Sequence, residues 1–128
     1  MIRLSFMAAA ALAATSLAAA ANAPVLPGVS GGIWEVSGNK APPARVCATD
    51  PLQLASYEHR AASCARTLVR GSAASAVVTY TCSNGGFGQS TISLITPRSL
   101  HIETQGISSG APYNYTLEAR RVGDCAHH

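Results

Sequence analysis

Short segments in which apolar and polar side chains alternate make up most of the chain after residue 30. Alternation with a period of two is typical of β-strands that bury one face. It predicts strands over residues 33–37, 44–48, 65–71, 76–83, 90–96, 99–104 and 113–122. The near-regular spacing of these segments favours a mainly β fold, in which about six or seven strands form a curled antiparallel meander sheet.

The segment TDPLQLASYEHR, between the second and third predicted strands, has a different pattern. Asp50 is a suitable N-cap residue, and Pro51 fits the first position of a helix, where its missing N–H group costs nothing. We therefore predict one short helix from Pro51 to about His59.

The leader of the chain, MIRLSFMAAAALAATSLAAAANA, has the pattern of a secretory signal peptide. Arg3 precedes an alanine-rich apolar run that ends in small residues. We place the cleavage after Ala21, because the alternative cut after Ala23 would leave Pro24 as the first residue. An uncleaved membrane anchor is the competing interpretation, but the run is short and weakly apolar for a span of ~20 residues.

Cleavage after residue 21 leaves 107 residues, which is the length of one domain. We expect a signal peptide over 1–21, a flexible lead-in over 22–30, a single β-rich domain over 31–126 and a tail at 127–128. The mature chain has eight basic and six acidic side chains, which are scattered along it. That distribution argues against a nucleic-acid partner. The leader predicts a periplasmic or secreted protein without a membrane anchor after cleavage.

All four cysteines follow the leader, at Cys47, Cys64, Cys82 and Cys125. An even number of cysteines in an exported chain predicts two disulfides, and four cysteines allow three pairings. A two-residue turn at 73–74 would place Val69 opposite Val78. Counting from that register puts Cys47 and Cys64 on the charged face and Cys82 and Cys125 on the apolar face. This favours Cys47–Cys64 and Cys82–Cys125, with the other two pairings left open.

Large apolar and aromatic side chains share the apolar face of the predicted sheet. They are Trp34, Val36, Val78, Tyr80, Tyr113 and Tyr115. This set is either the core of the domain or a ligand-binding surface on the concave face of the sheet. Trp34, in the segment GGIWEVSG, is accordingly either a core anchor or a platform for a ligand.

Few residues offer catalytic or metal-binding chemistry. The candidates are His101, Glu103, Glu35 and the terminal pair His127 and His128. The cysteine spacing fits no zinc module, since no C-x-x-C pair is present. The segment GVSGG matches an esterase motif only in letters, because it precedes the first strand. We expect no cofactor, no metal site and no catalytic residues.

The order of four motifs resembles the bacterial domain of unknown function 3617 family. These are the segment GIWE at 32–35, a cysteine before a short helix, the pair Cys64 and Cys82 around a hairpin, and RVGDC at 121–125. The resemblance covers residues 27–125. It implies an exported, β-rich protein of the bacterial envelope, and it implies no reaction.

Two functional hypotheses follow. The favoured one is a non-catalytic binding or interaction module of the cell envelope, whose partner is an envelope protein or a small apolar ligand. The alternative is a small periplasmic enzyme or metal-handling protein that uses His101, Glu103 and Glu35, or the two C-terminal histidines.

Overall fold

A computed structural model describes residues 9–12 and 24–126 and contains one open sheet of seven antiparallel strands. The strands are β1 (Gly32–Ser37), β2 (Ala44–Ala48), β3 (Cys64–Gly71), β4 (Ser75–Cys82), β5 (Phe87–Thr96), β6 (Ser99–Ser108) and β7 (Ala111–Gly123). A 3₁₀ helix, Pro51–His59, lies between β2 and β3. The mainly β fold with one short helix is confirmed. Most of the leader, both candidate cleavage positions and the tail at 127–128 lie outside the described residues.

The order of strands across the sheet is β2-β1-β7-β6-β5-β4-β3. Strands β3 to β7 form the expected sequential meander, whereas the β1–β2 hairpin pairs with the far side of β7. The 3₁₀ helix therefore carries the chain from one edge strand to the other. It contacts both edge strands and also β4, β5 and β6, so the sheet must curve around it.

The 3₁₀ helix begins where the sequence predicts it. The Asp50 carboxylate accepts a hydrogen bond from the backbone N–H of Leu52 at 2.9 Å, and Pro51 occupies the first position. The backbone of Ser56 leaves the helical conformation, which kinks the segment. Side chains of the helix pack on the concave face of the sheet, where the largest fully buried apolar residues are Trp34, Val36, Leu54, Val78, Ile92, Leu100, Ile102 and Leu117. The core therefore lies between the helix and the sheet.

The lead-in differs from the flexible segment that the sequence suggests. Leu26 is buried in the core, and its backbone N–H donates a hydrogen bond to the carbonyl of Ser72 at 3.0 Å. Val25 and Val29 pack beside it. From residue 24 onward the apolar side chains of the lead-in cover one end of the core.

The predicted disulfide pairing is wrong for both bonds. The structure joins Cys64 to Cys82 and Cys47 to Cys125. Near the turn the β3–β4 register is the predicted one, with Arg70 opposite Val77. A bulge at Val69 then shifts it by one residue. A one-residue shift moves every later side chain to the other face of its strand, so Cys64 falls directly opposite Cys82, with their Cα atoms 4.0 Å apart.

The second disulfide, Cys47–Cys125, spans the beginning of β1. Strand β1 lies between β2 and β7, and Ile33 pairs with Cys47 on one side and with Gly123 on the other. The chain after β7 continues past the end of β1, where Cys125 reaches Cys47 with a Cα separation of 5.6 Å. A Cβ atom on Gly31 would lie 2.1 Å from the carbonyl oxygen of Thr49. Glycine therefore permits this close crossing of the chains.

The two segments that carry most of the family resemblance are neighbours in the fold. Trp34 of β1 pairs with Arg121 of β7. The Arg121 side chain donates a hydrogen bond to the carbonyl of Gly31 at 3.0 Å and forms an ion pair with Asp124. Arg121 thus fastens the C-terminal segment to the glycines that precede Trp34.

Removing the Cys47–Cys125 bond, by Cys47→Ser with Cys125→Ser, is expected to destabilise the fold more than removing Cys64–Cys82. The bonds close loops of 78 and 18 residues, which corresponds to ~4.5 and ~3 kcal/mol of chain entropy. Denaturant unfolding of the two double mutants measures the difference. Peptide mapping without reduction checks the pairing itself, and a linked Cys82–Cys125 peptide would contradict the structure.

Trp34→Ala is expected to lower the free energy of unfolding by ~3–5 kcal/mol, as for other fully buried aromatic residues. Trp34 has no exposed surface, and truncation would leave a cavity beneath the helix. Its indole N–H has no hydrogen-bond partner among the described residues, so Trp34→Phe removes an unpaired polar group and should cost less. Urea unfolding of both variants tests this. A fully stable Trp34→Ala variant would show that the ring is not a core anchor.

Candidate binding surface

The concave face of the sheet is filled largely by the helix and the core side chains. Within the described residues, a pocket of about 180 Å³ remains there between the helix and the edge strands β2 and β3. Of the six residues predicted for this face, Trp34, Val36, Val78 and Tyr80 are buried in the core, and only Tyr113 and Tyr115 are partly exposed. The core interpretation of this face is therefore correct for the first four. The two remaining tyrosines lie at the margin of the core, beside the end of the 3₁₀ helix.

Two glycines leave room for two tyrosine side chains at one end of the core. In the sheet register Tyr80 lies opposite Gly88, Gly88 opposite Gly106, and Gly106 opposite Tyr113. The two tyrosine hydroxyls are hydrogen-bonded to each other across the glycines. A Cβ atom on Gly88 would lie 2.5 Å from the Tyr80 hydroxyl. Gly88 and Gly106 lie outside the strands that the sequence predicts, but both are strand residues that leave room for the tyrosines.

A chain of hydroxyl groups continues from these tyrosines into the core. Tyr80 is 3.1 Å from Thr104, Thr104 is 2.8 Å from Ser90, and Ser90 is 2.5 Å from the carbonyl oxygen of Ala55 in the helix. A hydroxyl has one proton and a carbonyl can only accept. The Ser90 hydroxyl can therefore donate to only one of its two acceptors at a time, the carbonyl oxygen of Ala55 or the hydroxyl of Thr104. The network ties the helix to the sheet.

The hydroxyls of Tyr113 and Tyr115 are hydrogen-bonding groups whose pKa values are raised. Burial raises the pKa of Tyr113 far above its usual range, and the hydrogen bond with Tyr80 adds to the effect. Burial and a hydrogen bond to Glu58 raise the pKa of Tyr115 in the same direction. Both side chains stay neutral at physiological pH. His59 ends the helix and is buried, with its ring between Asn84 and Tyr113, each 3.5 Å away.

The convex face of the sheet carries side chains in rows that cross the strands. One row is uncharged and polar, formed by Thr79, Gln89, Gln105 and Asn114. The neighbouring row is largely apolar, formed by Thr81, Phe87, Ile107 and Pro112. Between them lies an open groove of about 630 Å³, whose floor is the backbone at Gly88 and Gly106. We call this the amphipathic groove.

The amphipathic groove is accessible to solvent and unoccupied by other parts of the described chain. Phe87 is 51% exposed, and Gln89, Gln105 and Asn114 are exposed as well. Within the described residues the three amide side chains form no hydrogen bond with another side chain or with the backbone. The sequence analysis does not identify the amide row. The sequence signal of the amide row is that polar residues recur two positions apart along a strand, as at Thr79 and Thr81 and at Gln89 and Thr91.

The candidate catalytic residues do not come together. His101 lies on the convex face between Glu118, which its Nδ1 contacts at 2.5 Å, and Glu103, which is 3.8 Å from its Nε2. Glu35 instead pairs with Arg45 at 3.4 Å and with Arg120 at 3.7 Å. Glu118, which the sequence analysis did not select, is the principal partner of His101. Its position opposite His101 follows only from the β6–β7 register.

In the described part of the chain, no arrangement of residues indicates a metal-ion site or a nucleophilic serine. Within residues 9–12 and 24–126, no three His, Cys, Asp or Glu side chains are placed to hold a metal ion. His127 and His128 lie outside that part. Ser30 of GVSGG is exposed in the loop before β1, as the strand prediction implies. None of the helices in the described ranges is long and apolar enough to cross a membrane.

The pKa of His101 is expected to lie above its ordinary value of 6.5, because a hydrogen bond with Glu118 favours the protonated ring. Glu118→Gln should lower this pKa, and Glu103→Gln should lower it less because that carboxylate is farther away. NMR titration of the imidazole signals measures all three values. A raised pKa stabilises the fold below pH 6.5, and the contribution disappears as the pH rises through the raised value. His101→Gln should therefore be most destabilising below pH 6.5 and less so as the pH rises through the raised pKa.

Comparison of the chain with protein-family models, with curated proteins and with solved structures found no match. The description of the fold and of the amphipathic groove therefore rests on the geometry of this chain. The resemblance to the domain of unknown function 3617 family rests on its motifs.

Proposed function

We propose that this chain is an exported, non-catalytic binding module of the bacterial cell envelope and that the amphipathic groove is its binding surface. The observation that carries the proposal is the groove itself. It combines an exposed aromatic side chain with a row of unpaired amides, a combination that is typical of ligand sites. No charged side chain lines it.

Export is supported by the leader and by the cysteines. All four cysteines that the sequence contains are paired in disulfides, which indicates an oxidising compartment. A bacterial periplasm is such a compartment, and the basic, alanine-rich leader is the signal that would direct the chain there. The order of the GIWE and RVGDC motifs supports membership of the domain of unknown function 3617 family.

The alternative of a small enzyme or a metal-handling protein has less support. Its residues are divided between two ion-pair clusters, since His101 and Glu103 contact each other while Glu35 contacts two arginines. A general acid and a general base must both come within hydrogen-bonding reach of the same bound substrate. The two clusters face solvent on the convex side without a shared pocket among the cavities of the described residues.

In-cell photo-crosslinking tests the proposed function. We replace Phe87 with p-benzoylphenylalanine in the full chain, leader included, and irradiate intact cells. The expected result is a specific adduct on the exported protein, because residue 87 forms the apolar wall of the groove. Intact-mass measurement of the purified product gives the mass of the adduct and also the first residue of the mature chain, which we expect to be Asn22.

Ile95 provides a matched control, because it is also a β5 residue with a large exposed apolar side chain, at the other end of the strand. The same photo-crosslinker at position 95 should yield no adduct. Equal labelling at both positions, or none at position 87, would contradict a binding role for the groove. A mature chain that retained its leader would contradict export by signal-peptide cleavage.

A further inference from the structure

The amphipathic groove crosses four strands. Its polar wall is the row of uncharged polar side chains described above, and its apolar wall is the neighbouring, largely apolar row. Each wall takes one side chain from each of β4, β5, β6 and β7. The walls are two residues apart along every strand, which corresponds to ~7 Å. A ligand in the groove therefore has one polar and one apolar side, and its long axis is perpendicular to the strands.

The polar wall requires a ligand with uncharged hydrogen-bonding groups. Gln89, Gln105 and Asn114 each present an amide that both donates and accepts, and Thr79 adds a hydroxyl. Hydroxyl groups suit such a wall, because they also both donate and accept. A phosphate or carboxylate would find no cation among the residues that line the groove.

The apolar wall requires a flat apolar surface on the other side of the same ligand. Phe87 faces Ile107 across the sheet, and Ile107 faces Pro112. Pyranose rings have this character, because their C–H groups form an apolar face while their hydroxyls project from the rim. An aromatic side chain such as Phe87 packs against that face.

The spacing of the walls also fits a chain of sugars. Neighbouring strands of a sheet are ~4.8 Å apart, which is close to the length of one pyranose unit in an extended chain. Successive sugars would therefore meet successive amides of the polar wall. The four strands that form the groove offer places for three to four units.

A polypeptide fits the groove less well. An extended peptide binds a sheet by pairing with the backbone of an edge strand, but the edge strands here are β2 and β3. In the groove the floor belongs to inner strands, whose backbone groups are engaged in the sheet ladders. The N–H and C=O groups of a peptide would find only the few side chains of the polar wall.

We propose that the amphipathic groove binds a neutral, extended β-linked oligosaccharide. The proposal rests on the proposed function and names the ligand class of that same site. Phe87 packs on the ring faces, while the amides of Gln89, Gln105 and Asn114 bind the hydroxyl groups.

NMR titration of the folded, disulfide-bonded mature chain tests the proposal. The probes are cellotetraose and chitotetraose, and maltotetraose serves as a control because its α-linkages coil the chain. At millimolar concentrations at least one β-linked probe should shift the backbone amide signals of β4–β7 around Phe87, Gln89 and Gln105. Maltotetraose should bind at least fivefold more weakly.

Variants separate the contacts of the two walls. Phe87→Ala and Gln105→Leu are each expected to weaken binding about tenfold or more, whereas Ile95→Ala should leave it unchanged. Both groove substitutions are on exposed side chains, so the spectra should remain those of the native fold.

The saccharide proposal is overturned if neither β-linked probe shifts these signals, or if Phe87→Ala and Ile95→Ala bind equally well. It is also overturned if residue 87 crosslinks only to protein in cells. That last outcome would leave the proposed binding function intact, whereas the absence of any adduct at position 87 would overturn both.

Discussion

The contact between the Tyr80 and Tyr113 hydroxyls across Gly88 and Gly106 helps to hold the helix on the concave face of this sheet. The two glycines lack the Cβ atoms that would occupy the space of the hydroxyls. With the tyrosines in place, a chain of hydroxyls runs through Thr104 to the helix and holds it on the concave face. Because the helix fills most of that face, only a pocket of about 180 Å³ remains there, between the helix and the edge strands. The larger open groove lies on the convex face, where the exposed rows are set by the same strand register.

The elements of this fold could be predicted because their signals are local. Alternation of side chains identified seven strands, and Asp50 followed by Pro51 identified the start of the helix. The connectivity of the sheet was predicted only in part, since no local signal shows that the β1–β2 hairpin pairs with β7. The glycine signals were misleading for a related reason. Gly88 and Gly106 are required by side chains that lie opposite them in the sheet, not by a turn.

The wrong disulfide pairing and the missed amide row have one physical origin, which is the register between neighbouring strands. A bulge at Val69 reversed the predicted faces of β3 relative to β4 and with them the assignment of Cys64. The amide row is likewise visible only when four strands are aligned, because Thr79, Gln89, Gln105 and Asn114 come from separate strands. The prediction of the apolar stripe survived this uncertainty, since the face of each buried member is set by the alternation within its own strand.

Both disulfides hold an edge strand. Cys64–Cys82 ties the edge strand β3 to β4, and Cys47–Cys125 ties the opposite edge strand β2 to the end of the chain beyond β7. Edge strands expose unpaired backbone groups and can separate from a sheet or pair with another chain. Because the helix also contacts both edges, loss of either strand would uncover part of the core. Oxidation therefore secures the concave packing from both sides. The inner strands β4–β7, which form the amphipathic groove, stay in register as a rigid surface, and rigidity of this kind lowers the entropy that a weak ligand must lose on binding.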